Sequence, residues 1–184
     1  MSNNPNSGHD SRIEVHPGDI TQLDVDAIVN AANARLQPGG GVCGAIHRAA
    51  GRNLREACAA IGGCKTGDAV HTDGFDLKAR YVIHTVGPVW RGGKQNEEAL
   101  LASCYRTSLK IAKQIGARSL AFPAISTGVY GFPFGLAAEI AVATVRDFLS
   151  EEEAIGKVVF CTFGAEAEIT YQKVLARVTA SGAA

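Results

Sequence analysis

Val25-Asp26-Ala27-Ile28-Val29-Asn30-Ala31-Ala32-Asn33, continued by residues 34–38 and then by Gly39-Gly40-Gly41-Val42-Cys43-Gly44, carries a short apolar run through a polar turn into a glycine loop. The loop opens an Ala-rich segment that includes Ala45, Ile46 and His47; residues 44–61 read as helix, broken near Gly51. A strand feeding a helix through such a loop is the unit from which α/β domains are built. The passage recurs later: residues 119–125 read as strand, Ile125-Ser126-Thr127-Gly128-Val129-Tyr130-Gly131 as a second glycine-bearing loop, and residues 136–149 as an amphipathic helix.

Working outward, β-branched runs over residues 12–16, 27–29, 69–72, 81–86 and 158–163 complete a set of about six strands, and residues 96–115 and 166–178 complete the helices. Residues 81–86 are nearly all apolar, which suits a central strand buried on both faces. The alternation predicts an α/β domain with its sheet covered on both sides, and ligands in such sheets are expected beyond the carboxyl ends of the strands. The 184 residues fit one domain. Residues 1–10 are polar and turn-rich and the last five are small and featureless, so a disordered tail over 1–10 and a single domain over 11–180 are expected.

Hydrophobic residues at 46% and charged residues at 20% are ordinary globular usage and exclude a disordered chain. Eighteen Lys plus Arg balance eighteen Asp plus Glu, leaving no global positive field to gather polyanions; with basic residues scattered along the chain, a nucleic-acid partner is not expected. Any phosphorylated ligand must be held by a local site. Five cysteines without a CxxC pair argue for reduced thiols rather than a disulfide framework or zinc ribbon. No ligand cluster suggests a metal, and no cofactor is implied. There is neither an apolar leader nor an apolar run near 18 residues, so no membrane partner is expected and the location should be cytoplasmic.

The three glycines Gly39 to Gly41 can bring backbone close to a ligand, and their N–H groups at a helix start make an anion site. The second loop adds hydroxyls, and two such loops on neighbouring strands would grip a diphosphate from both sides. Neither a Walker lysine nor GxGxxG spacing is present, which argues against P-loop and Rossmann binding. Asn33 can aim its amide at a sugar hydroxyl or a water, or can close an Asx-turn; its residue type leaves both open. Asp19, in Gly18-Asp19-Ile20-Thr21, reads as a turn residue or as a carboxylate accepting from an exocyclic amine. His84, inside a strand, reads as a satisfied core histidine, Trp90 as a surface plug, and Cys58, Cys64, Cys104 and Cys161 as small buried residues.

Gly18-Asp19-Ile20-Thr21, the stretch from Val25 to Asn33, the loop from Gly39 to His47, His84-Thr85-Val86-Gly87-Pro88 and Phe122-Pro123-Ala124-Ile125-Ser126-Thr127-Gly128-Val129-Tyr130-Gly131 together resemble a MacroD-type macrodomain over nearly the whole chain. Val89-Trp90-Arg91-Gly92-Gly93 with Gln95-Asn96-Glu97 is similar to the bacterial O-acetyl-ADP-ribose deacetylases. The resemblance implies a three-layer α/β/α sandwich with a mixed, mostly parallel central sheet and an ADP-ribose cleft. By the same resemblance, Asp19 would accept from adenine, Ile20 would offer its N–H to the ring, and Phe163 would pack on it, although Phe163 also reads as a strand-end core residue. Gly40, Gly41, Val42 and Gly44 would line phosphate and distal ribose, Ser126, Thr127, Gly128, Val129 and Tyr130 would close over them, and Asn33 would orient the ribose. The implied function is removal of acetyl from O-acetyl-ADP-ribose, or of mono-ADP-ribose from protein Asp and Glu esters, with ADP-ribose, its esters and mono-ADP-ribosylated proteins as partners.

Two positions depart from the family pattern that the resemblance implies. Cys43 stands where these proteins usually have Asp, and Pro38 replaces a Gly in the preceding run. Three readings follow: catalysis by Asn33, a phosphate-bound water and the substrate; a Cys43 thiolate favoured by the helix start and by His47 one turn on; or an ADP-ribose reader that no longer cuts.

Overall fold

The computed structural model describes residues 11–181; the tail expected over 1–10 and the last three residues lie outside this range. Among the described residues six strands form one sheet: β1 (Ile13–Pro17), β2 (Ala27–Ala32), β3 (Ala69–Asp73), β4 (Tyr81–Val86), β5 (Ser119–Phe122) and β6 (Lys157–Thr162). Their order is β1-β6-β5-β2-β4-β3, parallel throughout except for β3, which runs antiparallel to β4 at the edge. Five α-helices accompany them among the described residues: α1 (Gly41–Ala50), α2 (Arg52–Ile61), α3 (Glu97–Gln114) and α4 (Phe134–Ser150) lie between strands, and α5 (Ala165–Ser181) follows β6.

The period of two in the strands sorts their side chains into two cores. Val29, Ile83, Leu120, Phe122, Val158 and Phe160 pack with Leu101, Tyr105, Leu109, Val142 and Tyr171 on the face carrying α3, α4 and α5. The residues between them, Ile28, Val82, Ala121 and Val159, pack with Ile46, Leu54 and Cys58 under α1 and α2. The result is the expected three-layer α/β/α sandwich with a mixed, mostly parallel sheet.

Boundaries moved at the site. β2 runs to Ala32 instead of 29, because Asn30, Ala31 and Ala32 continue the ladder against His84, Thr85 and Val86. β5 stops at Phe122, before Pro123, which has no N–H for a further ladder bond. α1 starts at Gly41, three residues early. The helix break falls at Gly51 (φ +84°), where a Cβ would sit 2.5 Å from Asp76 Oδ2.

Candidate active site

The five parallel strands deliver their following loops to one edge of the sheet. A cleft of about 410 Å³ opens there between the loop after β2 and the loop after β5. Asn33, Gly40, Gly41, Val42 and Cys43 line one wall, and Ser126, Gly128, Val129 and Tyr130 the other.

Glycine geometry builds the first wall. Gly41 has φ +56°, a left-handed conformation that costs a side chain energy, and no atom lies within 4 Å of where its Cβ would be. Gly40, extended, is the N-cap of α1 and brings no capping side chain. The N–H groups of Gly41, Val42 and Cys43 therefore have no intrahelical acceptor, which leaves donors and a positive helix end at the cleft. Gly44 is buried and is not among the lining residues; a Cβ there would collide with the Gly39 carbonyl oxygen, so it lets the loop fold back onto α1.

Asn33 lines the cleft and closes a turn at the same time. Its Nδ2 donates to the Gln37 carbonyl at 2.8 Å, and its Oδ1 accepts from the Gln37 N–H at 3.1 Å. One amide hydrogen and one lone pair remain for another partner. The Cys43 thiol also points at the Gln37 carbonyl, at 3.6 Å, and receives Asn30 Nδ2 at 3.7 Å. Asn30 Nδ2 also lies 3.1 Å from His84 Nδ1, whose Nε2 faces Thr72 Oγ1 at 3.0 Å. His84 is fully buried and is a bonded core residue; burial first, then His47 and His71, push it down to about 3. His47 is also depressed by burial and by Arg55, and both its ring nitrogens lack a partner among the described residues. Both causes favour its neutral form, which weakens the support a cationic His47 would give to the thiolate reading.

The second wall depends on Gly87, at the end of β4. A Cβ on Gly87 would collide with Ser126 Oγ and lie 2.7 Å from Ile125 Cγ2. Ser126 itself has φ +65° and is buried, and its hydroxyl has no partner among the described residues. The Thr127 hydroxyl donates to the Ala124 carbonyl at 2.8 Å and Thr127 does not line the cleft. Trp90 packs on Phe132, ring centroids 4.7 Å apart, and its N–H donates to the Tyr130 carbonyl at 2.8 Å, which ties the loop after β4 to this wall. That loop is held by the buried Glu97 carboxylate, which accepts from the N–H groups of Arg91, Gly93 and Gln95 at 2.8, 3.3 and 2.7 Å. Gly87 and Glu97 were overlooked as site residues. Both lie in the quoted motifs, but their roles need the strand order to become visible.

Asp19, Ile20 and Phe163 lie outside the cleft, after the adjacent strands β1 and β6, whose ends are joined by the Gly18 N–H donating to the Thr162 carbonyl at 2.9 Å. Asp19 Oδ1 accepts from the Thr21 N–H and hydroxyl at 2.9 and 2.7 Å, a cap for a short 3₁₀ turn, Ile20–Gln22. Ile20 is buried. Phe163 is 94% exposed and therefore not a core residue. Among the described residues no group of three or more His, Cys, Asp or Glu could hold a metal, and no helix is long and apolar enough to cross a membrane.

The Macro domain family model matches residues 29–141. The chain is 60% identical over 158 residues to a Macro domain-containing protein of Chlorobaculum tepidum, covering 86% of this chain and 92% of that one. It is 56% identical over 169 residues to an O-acetyl-ADP-ribose deacetylase of Escherichia fergusonii, covering 90% and 96%. Among solved structures it superposes on an Oceanobacillus iheyensis macrodomain with ADP at TM-score 0.87 and 41% identity, covering 92% of each chain. On a Trypanosoma brucei macrodomain in complex with ADP-ribose the TM-score is 0.85 and the identity 44%, with 92% of this chain and 72% of that one covered.

Proposed function

The chain belongs to the Macro domain family, and from that premise we propose that it binds ADP-ribose and hydrolyses the ester joining an acetyl group or a protein carboxylate to the distal ribose. The observation that carries this reading is the meeting of two glycine loops on one cleft, one of them presenting the unpaired N–H groups of a helix start. The diphosphate lies between the Gly40–Val42 backbone and the loop of Ser126, Gly128 and Val129. The adenosine extends along the strand ends toward Asp19, Ile20 and Phe163, where an exposed aromatic ring and a carboxylate oxygen are available. The free capacity of the Asn33 amide is turned to the distal ribose. The deacetylase name of a relative that this chain matches over 90% of its length supports the ester as the bond cleaved.

In the reaction, water adds to the acyl carbon, the bond from that carbon to the ribose oxygen breaks, the ribose oxygen takes a proton, and a carboxylate and a proton are released. The residues lining the cleft include no carboxylate and no imidazole. Backbone N–H groups at the start of α1 stabilise the oxyanion, an effect worth about 3 to 4 kcal/mol per donor in comparable sites. Asn33 and a substrate phosphate orient the water. The free thiols support a reducing, cytoplasmic setting.

The same lack of a general base favours a second reading, a binding module that holds ADP-ribose without cutting it. Turnover of O-acetyl-ADP-ribose beside calorimetric titration of ADP-ribose separates the two.

A further inference from the structure

The charges that look scattered in sequence are gathered by the fold. Arg35 comes from the loop after β2, Arg48 from α1, and Arg52 and Arg55 from α2, and all four side chains are exposed. They line two depressions that share Pro38 and Arg55, and the nearer one shares Gly39 with the cleft. Gly39 is the junction with the proposed chemistry, since a Cβ there would lie 3.7 Å from Asn33 Nδ2 and 3.9 Å from Cys43 Sγ. A continuous basic trough thus leaves the cleft at its distal-ribose end.

No Asp or Glu lines either depression. Two carboxylates lie near: Glu56 pairs with Arg52 at 3.1 Å, and Asp76 abuts Gly51. Arg35, Arg48 and Arg55 pair with no carboxylate among the described residues. In a chain of zero net charge, three unpaired guanidinium groups around two adjoining depressions are a local potential that an acidic partner would relieve, and guanidinium geometry suits carboxylates.

We propose that this trough binds the acidic segment flanking a mono-ADP-ribosylated Asp or Glu in a protein substrate, so that the ADP-ribose enters the cleft while neighbouring carboxylates lie along Arg48, Arg55 and Arg35. This rests on the ADP-ribose reading of the cleft and adds a surface that recognises the sequence around the modified residue. A small ester such as O-acetyl-ADP-ribose does not reach the trough and gains nothing from it.

The test is calorimetric binding by wild type and by Arg48→Gln/Arg55→Gln, two exposed positions whose replacement leaves the core intact. The ligands are ADP-ribose and two peptides carrying ADP-ribose through a hydrolysis-resistant linkage, one with Glu-rich flanks and one with Ser and Gly flanks. Wild type is expected to bind the acidic peptide about tenfold more tightly than the neutral one at low salt. The advantage should vanish at about 0.5 M NaCl and in the double variant, with ADP-ribose binding by the double variant at low salt equal to that of wild type. Equal affinity for the two peptides, or an advantage that survives the double variant, overturns the proposal. So does a single-stranded RNA oligonucleotide that binds wild type more tightly than the acidic peptide and is lost in the double variant. Failure to bind ADP-ribose itself identifies the underlying reading of the cleft as the error.

Discussion

The amide of Asn33 grips the backbone of Gln37 from both ends, donating to its carbonyl at 2.8 Å and accepting from its N–H at 3.1 Å. A side chain that faces the cleft is thereby fixed in direction before any ligand arrives, and the segment leading to Gly39 is fixed with it.

Asn33→Ala removes both the clasp and the group turned to the ribose. Ester turnover should fall by at least about 100-fold, while stability falls by only about 1 kcal/mol. Steady-state kinetics and urea unfolding of the same samples check this. A variant with normal turnover would reduce Asn33 to a turn residue.

Glycines at the cleft should divide by what surrounds them. Gly87→Ala drives a methyl into Ser126 and Ile125, which should cost about 1 to 3 kcal/mol and weaken ADP-ribose binding by displacing the loop. Gly41→Ala meets no atom but must keep φ +56°, a cost of about 1 kcal/mol. Gly128→Ala has open space and no positive φ, and should stay within about 0.5 kcal/mol of wild type. Thermal unfolding ranks the three, and equal effects would contradict this local account.

Buried histidine sets the acid limit of stability. His84 is pushed down to about 3 in the folded chain, chiefly by burial, against about 6.5 unfolded. Between these values the unfolded chain binds more protons, so the contribution is complete above the unfolded value and is lost as pH falls toward the folded one. The slope for one such group approaches about 1.4 kcal/mol per pH unit, and His47, also depressed, adds in the same direction. Urea unfolding across this range should show the decline in wild type and a flatter one in His84→Gln; equal slopes would remove His84 from the explanation.

Glu97 acts in the neighbouring loop. Burial alone would raise its carboxyl, but the N–H groups of Glu97 itself, Gln95, Arg91 and Gly93 hold it below the usual range. Its contribution is therefore present above the unfolded value and lost as pH falls through the folded one. Glu97→Gln should lower the unfolding temperature at neutral pH and increase proteolysis within residues 91–95. An unchanged cleavage pattern would show that the loop is held otherwise.

Much of this molecule is legible in its sequence. The apolar run Tyr81–Val86 is β4 to the residue, and the helix break falls on Gly51 as the glycine suggests. β2 extends three residues past the apolar run over 27–29, because the Asn30 amide is buried against His84 and Cys43, a partnership distant in sequence. Asn33 has both features that its residue type leaves open: its amide closes a turn on Gln37 and it lines the cleft. Phe163 continues an apolar run, yet the chain turns at Gly164 (φ +93°) and leaves the ring in solvent. The arginine trough could not be seen at all, because positions 35, 48, 52 and 55 become neighbours only when α1 and α2 fold back over the loop after β2.

Cys43, at the position where the resemblance implies an Asp, bears most directly on hydrolysis, and one measurement addresses it: turnover of O-acetyl-ADP-ribose and of a mono-ADP-ribosylated protein by wild type, Asn33→Ala and Cys43→Asp, each with its ADP-ribose affinity measured in parallel. Wild type is expected to turn over ester, and Asn33→Ala to lose turnover far more than binding. Tight ADP-ribose binding by wild type without turnover, with activity gained in Cys43→Asp, would contradict a hydrolase and leave a reader of ADP-ribose.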